Sequence, residues 1–182
     1  MSQPSQNPAK TSVFARLFGQ GRAKPESVRP LWHQLVALAR QKSWYAELGV
    51  ADTLPGRFDA VTLVLCAALL RMEGDETLAR PSVWLTEMFV TDMDGQLREA
   101  GVGDLVVGKH IGRLMSVLGG RLGAYRTGLA ARDDAELIAA ITRNITLTDG
   151  ADPARIAAAI RQLVARLASL PAEHLLAGDI GQ

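Results

Sequence analysis

Asp92-Met93-Asp94 is the most tempting chemical motif in this sequence. Two carboxylates one residue apart suggest a paired metal or acid–base site. Helical geometry works against that. Residues i and i+2 point about 200° apart around a helix, so the two carboxylates diverge. Asp94 instead has Arg98 four residues on, the favourable acid-first order, worth ~0.2–0.5 kcal/mol when exposed. Asp92 and Glu99 lie seven apart, on one helix face beside an apolar stripe. Two acids there want a shared cation, and Arg57, Lys109, Arg113 and Arg121 are available. Three readings stay open at this point: a structural ion network, a polar patch that binds a partner, and metal or acid–base chemistry.

Other chemistry is thinner. His33, His110 and His174 fall on separate segments, without the HxxxH or HxxE spacing of a metal site. The serines form no GxSxG elbow. Gly101-Val102-Gly103 lacks the third glycine and the preceding strand of a dinucleotide fingerprint. Gly108-Lys109 lacks the spacing and hydroxyl of a phosphate loop. Cys66 is the sole cysteine. It lies in an apolar segment and reads as packing, since a reactive thiol needs an electropositive, accessible setting. These residues by themselves name no enzyme. What remains is a surface argument. Gly56-Arg57-Phe58-Asp59 and the stretch from Phe89 to Lys109 set charges beside aromatic and methionine side chains, types enriched at protein interfaces. Phe58, Met88, Phe89 and Met93 fit either a core or a flexible Met-rich groove for an apolar client.

These side chains need a scaffold. The chain has 182 residues, 48% of them apolar, and a net charge of +1, which suits one globular domain and not a disordered chain. A single cysteine permits no internal disulfide. The apolar run Ala60–Leu70 is about half the ~20 residues that span a bilayer. Nothing resembles a secretory signal, so a reducing, cytosol-like compartment is expected. Residues 1–30 hold five basic side chains against one acid, and the rest is net acidic. The basic charge is thus a tail feature, and no basic domain is present to grip nucleic acid specifically.

Helical periodicity dominates. Val13, Phe14, Leu17 and Phe18 share one face of a short segment that reads as a packing tail, a basic-aromatic membrane contact or part of a transit peptide. Pro30 opens a helix expected to run to about Ala46. Asp52-Thr53-Leu54-Pro55-Gly56 reads as a chain reversal, and Phe58–Met72 as a central helix, apolar nearly all round. Pro81 opens the next helix, carrying Leu85, Phe89, Met93 and Leu97 at four-residue spacing, with Gly101 as its terminator. A glycine-studded helix follows, with Gly108, Gly112, Gly119, Gly120 and Gly123. Each glycine costs about 1 kcal/mol relative to alanine, which close approach of another backbone would offset. Asp133 or Asp134 caps a helix through Ile145. A last long helix carries Ile156, Ile160, Leu163 and Leu167, with Arg155, Arg161 and Arg166 outside the stripe. The expected fold is all-α, an irregular bundle of about six or seven helices. Its organisation is a basic tail (1–28), one helical domain (29–176) and a short tail (177–182).

Three blocks carry a family resemblance. Asp52-Thr53-Leu54-Pro55-Gly56-Arg57-Phe58-Asp59 is similar to the first block of the ubiquinol–cytochrome c chaperone family. Met88 through Glu99 (MFVTDMDGQLRE) resembles the second, and Gly101 through Lys109 (GVGDLVVGK) the third. Arg121, Tyr125 and Arg143-Asn144 fit the tail of the pattern. The resemblance runs from about Ala37 to Ile145, leaving the last helix outside. Ala100, Leu118-Gly119-Gly120 and His110 depart from it.

The resemblance implies an all-helical assembly factor without enzymatic activity or cofactor. It implies a role in assembling respiratory complex III, with newly made cytochrome b as client before haem loading. A small helper protein and the ribosome are further implied partners. The implied location is the cytoplasmic face of the inner membrane, or the mitochondrial matrix in a eukaryote. No catalytic residue is carried over. The motif positions Arg57, Phe58, Asp59, Phe89, Asp92, Asp94, Arg98, Glu99, Asp104, Lys109, Arg121 and Tyr125 form the expected interaction surface. The alternative is a generic ribosome- or membrane-associated scaffold.

Overall fold

The structure, a computed structural model, describes residues 25–99 and 107–181. The amphipathic segment at Val13–Phe18, Gly101 and the Val102–Val106 stretch lie outside them. A short 3-10 turn, Pro25–Val28, leads into α1 (Arg29–Ala39). Pro30 sits in the first turn of α1, where its missing N–H has no helical partner to lose. The helix expected to reach Ala46 instead breaks after Ala39, and α2 (Lys42–Ala46) starts afresh. The two aromatics of α2 turn back to serve the end of α1. Trp44 Nε1 donates to the Leu38 carbonyl at 2.9 Å, and the Tyr45 hydroxyl to that of Ala39 at 2.8 Å. Carbonyls that a helix end leaves bare are satisfied this way.

The next segment corrects the reading of Pro55-Gly56 as a reversal. Helix α3 spans Leu54–Met72, so both residues belong to its first turn. Thr53 is the N-cap, and its side chain accepts from Gly56 N–H. Gly56 is required for space: a Cβ there would sit 2.0 Å from the Ala51 carbonyl oxygen. From Asp59 to Leu69 every residue of α3 is buried. It is the central helix, packed by α1, by α4 (Ala79–Glu99), by α5 (Val107–Ala130) and by α7 (Pro153–Ala168). Arg71 fastens its far end, donating to the Leu167 and Leu170 carbonyls at 3.0 and 2.8 Å.

Helix α4 begins at Ala79, two residues before the expected Pro81. Proline is tolerated there because the first four helical N–H groups lack intrahelical partners. Leu85, Phe89 and Met93 are buried as a stripe. Helix α5 buries Leu114, Leu118 and Tyr125, whereas Met115 is 38% exposed. The glycines of α5 divide sharply. A Cβ at Gly112, Gly119, Gly120 or Gly123 would have nothing within 4 Å, so no neighbouring backbone offsets their cost. The close approach occurs at Gly128, where a Cβ would lie 2.6 Å from Leu137 Cα in α6 (Ala135–Asn144).

Asp133 rather than Asp134 serves the start of α6, accepting from Ala135 N–H at 3.1 Å. Asp134 pairs with Arg161 of α7. Arg161 lies outside the apolar stripe, as its spacing predicts. It also donates to the Leu129 and Gly128 carbonyls, at 3.0 and 3.1 Å, closing the end of α5. After Pro171 comes α8 (Ala172–Ala177), ended by Gly178 in the left-handed conformation. Ile180 beyond it is buried. The fold is all-α, six helices of ten or more residues and two short ones among the described residues. An isolated antiparallel bridge, Val50 to Leu147, joins the α2–α3 loop to the α6–α7 loop.

Candidate interaction site

Asp59 enters the protein interior one turn after the start of α3 and is 5% exposed. A buried carboxylate must be hydrogen-bonded, and this one is served on both oxygens. Oδ1 accepts from Arg121 Nη2 of α5 at 2.7 Å. Oδ2 accepts from the Thr146 backbone N–H and hydroxyl, at 2.8 and 2.7 Å. One side chain thereby ties α3, α5 and the α6–α7 loop. The bridge between Val50 and Leu147 lies beside Thr146. Ala51 N–H donates to the Thr146 carbonyl at 2.9 Å, and Thr148 N–H to Gly49 at 2.9 Å.

The aromatic residues form a run through the same region. The Arg121 guanidinium carbon lies 5.4 Å from the centroid of the half-buried Phe58 ring. Phe58 meets Phe89 of α4 at 6.1 Å, and Phe89 meets Trp32 of α1 edge-on at 6.2 Å. Such cation–aromatic and edge-to-face contacts are attractive beyond the area they bury. The run ends on Asp92, whose Oδ2 accepts the Trp32 indole N–H at 2.6 Å. Trp32 is 2% exposed while Asp92 is exposed, so this acid is a cap that lets a buried indole keep its hydrogen bond.

The expected surface residues therefore separate by depth. Phe89, Tyr125 and Asp59 are buried. Arg121 keeps 14% of its side chain exposed. Arg57, Asp92 and Glu99 are exposed, and Asp94 is half-buried. Of Arg98 and Lys109 only the helical backbone is described, and Asp104 lies outside the described residues. Arg57 and Arg121, expected as cations for Asp92 and Glu99, are engaged elsewhere. Arg57 Nε donates to Asp52 at 2.6 Å, and Arg121 serves Asp59. The Arg57 hydrogen bond holds the Asp52 carboxyl below its usual range. The exposed Met115 and half-buried Met88 lie on α5 and α4.

Three residues that matter here were absent from the expected set. Trp32 carried a signal, since a buried indole N–H needs an acceptor. Thr146 and Asp52 carried none. Among the described residues no group of three or more His, Cys, Asp or Glu is placed to hold a metal. Burial pushes the Cys66 thiol up to about 12, so it stays protonated and unreactive. No helix among the described residues is long and apolar enough to cross a membrane.

Comparison with known proteins agrees with this geometry. A search of curated proteins found no match. The crystal structure of the Cbp3 homolog from Brucella abortus superposes with a TM-score of 0.76 at 36% identity, covering 85% of this chain and 87% of that one. The family model for the ubiquinol-cytochrome C chaperone matches residues 46–181. It reaches past Ile145 through α7 and α8, so the last helices, first read as outside the resemblance, are part of the shared fold. With more than half its length matched, this chain belongs to the ubiquinol-cytochrome C chaperone family.

Proposed function

We propose that this chain is an assembly chaperone for respiratory complex III, that it binds newly made cytochrome b before haem loading, and that it works by binding alone. The observation that supports this is the extent of the family match, which takes in all three blocks and the whole Asp59–Arg121–Thr146 junction. The chemistry of the site is in keeping with that reading. Asp52, Asp59 and Asp92 hold Arg57, Arg121, Thr146 and Trp32, and the thiol is inert.

The motif residues divide the work. Asp59, Phe89 and Tyr125 fix the shape of the surface from beneath. Arg57, Phe58, Asp92, Asp94, Glu99 and Arg121 meet the client at the surface, with Arg98, Asp104 and Lys109 as further contacts. A nascent membrane subunit exposes apolar surface until it is inserted and packed. A binder that prefers the unassembled form holds it by mass action and releases it when haem or a partner subunit binds. The basic segment before residue 30 keeps the protein near anionic lipid on the cytoplasmic face of the inner membrane, at about 1 kcal/mol per basic residue. The ribosome and a small helper protein are its further partners.

Deleting the gene and measuring assembled complex III and cytochrome b tests this. Both fall together if the reading is right, and wild-type levels of both overturn it. Salt-sensitive ribosome co-sedimentation that needs residues 1–30, with complex III intact, would favour a general scaffold instead.

A further inference from the structure

Two buried polar atoms beside Asp59 have no hydrogen-bond partner among the described residues: Nη1 of Arg121 and the hydroxyl of Tyr125. The two residues are four apart on α5 and share a helix face, yet they do not bond each other. Tyr125 is 1% exposed, so bulk solvent does not serve it. Burial raises its pKa well above the phenol value of 10.0, so the hydroxyl is neutral and both donates and accepts. It feels the charges of Arg121 and Asp59, and burial keeps the nearby Cys66 thiol neutral as well. Buried polar groups in native proteins are nearly always satisfied, by protein or by ordered water. An internal water typically makes about three hydrogen bonds to such groups.

The geometry points to one internal water bound between Arg121 Nη1 and the Tyr125 hydroxyl. The local charges select its chemistry. A small anion there would face the Asp59 carboxylate, and a cation would face Arg121. A neutral molecule that both donates and accepts suits a guanidinium donor and a phenol together. Its oxygen accepts from Nη1 and exchanges a hydrogen bond with the phenol. Arg121 is then served on both arms, by Asp59 through Nη2 and by the water through Nη1. The water is a structural ligand that fixes where α5 sits on α3.

A crystal structure of the full chain, at a resolution that places waters, tests this, with Tyr125→Phe beside it. The expected result is one density peak within hydrogen-bond reach of both atoms, lost or displaced in Tyr125→Phe. Oxygen-17 relaxation dispersion in solution should count one fewer long-lived water in Tyr125→Phe than in the wild type. A map in which the Tyr125 hydroxyl bonds a protein atom directly, with no water at Nη1, overturns the proposal. An unchanged count of long-lived waters overturns it too. Should Tyr125→Phe fail to fold, the wild-type map decides alone.

Discussion

Arg121 donates to Asp59 across the α3–α5 contact at 2.7 Å, with 14% and 7% of the two side chains exposed. A pair this buried costs little to keep and much to break on one side, because the survivor is left charged and unpaired. Asp59→Ala is therefore expected to destabilise by about 3–5 kcal/mol. Asp59→Ala with Arg121→Met should cost less than the two single changes added. Urea unfolding of the four proteins measures this, and strict additivity would show that the pair is not coupled.

Asp92→Ala strips the acceptor from the Trp32 indole, and Trp32→Phe removes the donor while keeping the ring contact with Phe89. Orphaning the indole is expected to cost about 1–3 kcal/mol. In the Trp32→Phe background the Asp92 change should cost almost nothing. Thermal denaturation of the single and double variants reads this directly. Co-purification of cytochrome b, the proposed client, then reveals whether Asp92 does more than cap.

Glycines at different places on these helices should respond in opposite directions. Gly119→Ala and Gly120→Ala add a Cβ into open space on α5 and are expected to stabilise by about 0.5–1 kcal/mol each. Gly56→Ala drives its Cβ onto the Ala51 carbonyl and is expected to cost about 1–3 kcal/mol. Denaturation midpoints with the same sign for all three would refute the placement of α3 against its preceding loop.

Alkali should weaken the fold in a specific window. Burial lifts the Cys66 thiol from 9.0 to about 12, and Tyr125 also rises from 10.0. A group raised in the folded state contributes fully below its unfolded value and loses that contribution as pH climbs toward its folded value. Stability should therefore decline as pH rises from about 9 to 12, and Cys66→Ala should delay the onset. Thiol labelling of the wild type below that window should be no faster than unfolding, since Cys66 is fully buried.

Much of this architecture can be read from periodicity, and the errors have physical causes. The α7 stripe and the all-round apolar α3 were legible because burial imposes a repeat on neighbouring residues. Pro55-Gly56 misled because the dipeptide that starts a turn also suits a helix entry, where Thr53 caps and Ala51 crowds. The site was half legible. Phe58, Asp59, Phe89 and Arg121 do come together, yet Asp92, expected to share a cation with Glu99, takes the Trp32 indole instead. Asp59 meets Thr146 from 87 residues away, and Asp92 meets Trp32 from 60 away. Charge type and local spacing carry no information about such distant choices. The α5 glycines misled in the other direction, since among the described glycines of α5 only Gly128 is crowded by a backbone.

The Asp59–Thr146 tie also sets a timetable for biosynthesis. Helix α3 emerges from the ribosome long before the loop that must satisfy its buried carboxylate. Until residue 146 is free to reach back, Asp59 has neither Thr146 donor, and the α2–α3 loop lacks its bridge. A member of a chaperone family thus spends most of its own translation as an unfinished fold. Its central helix is tied down late, only once residue 146 has been made.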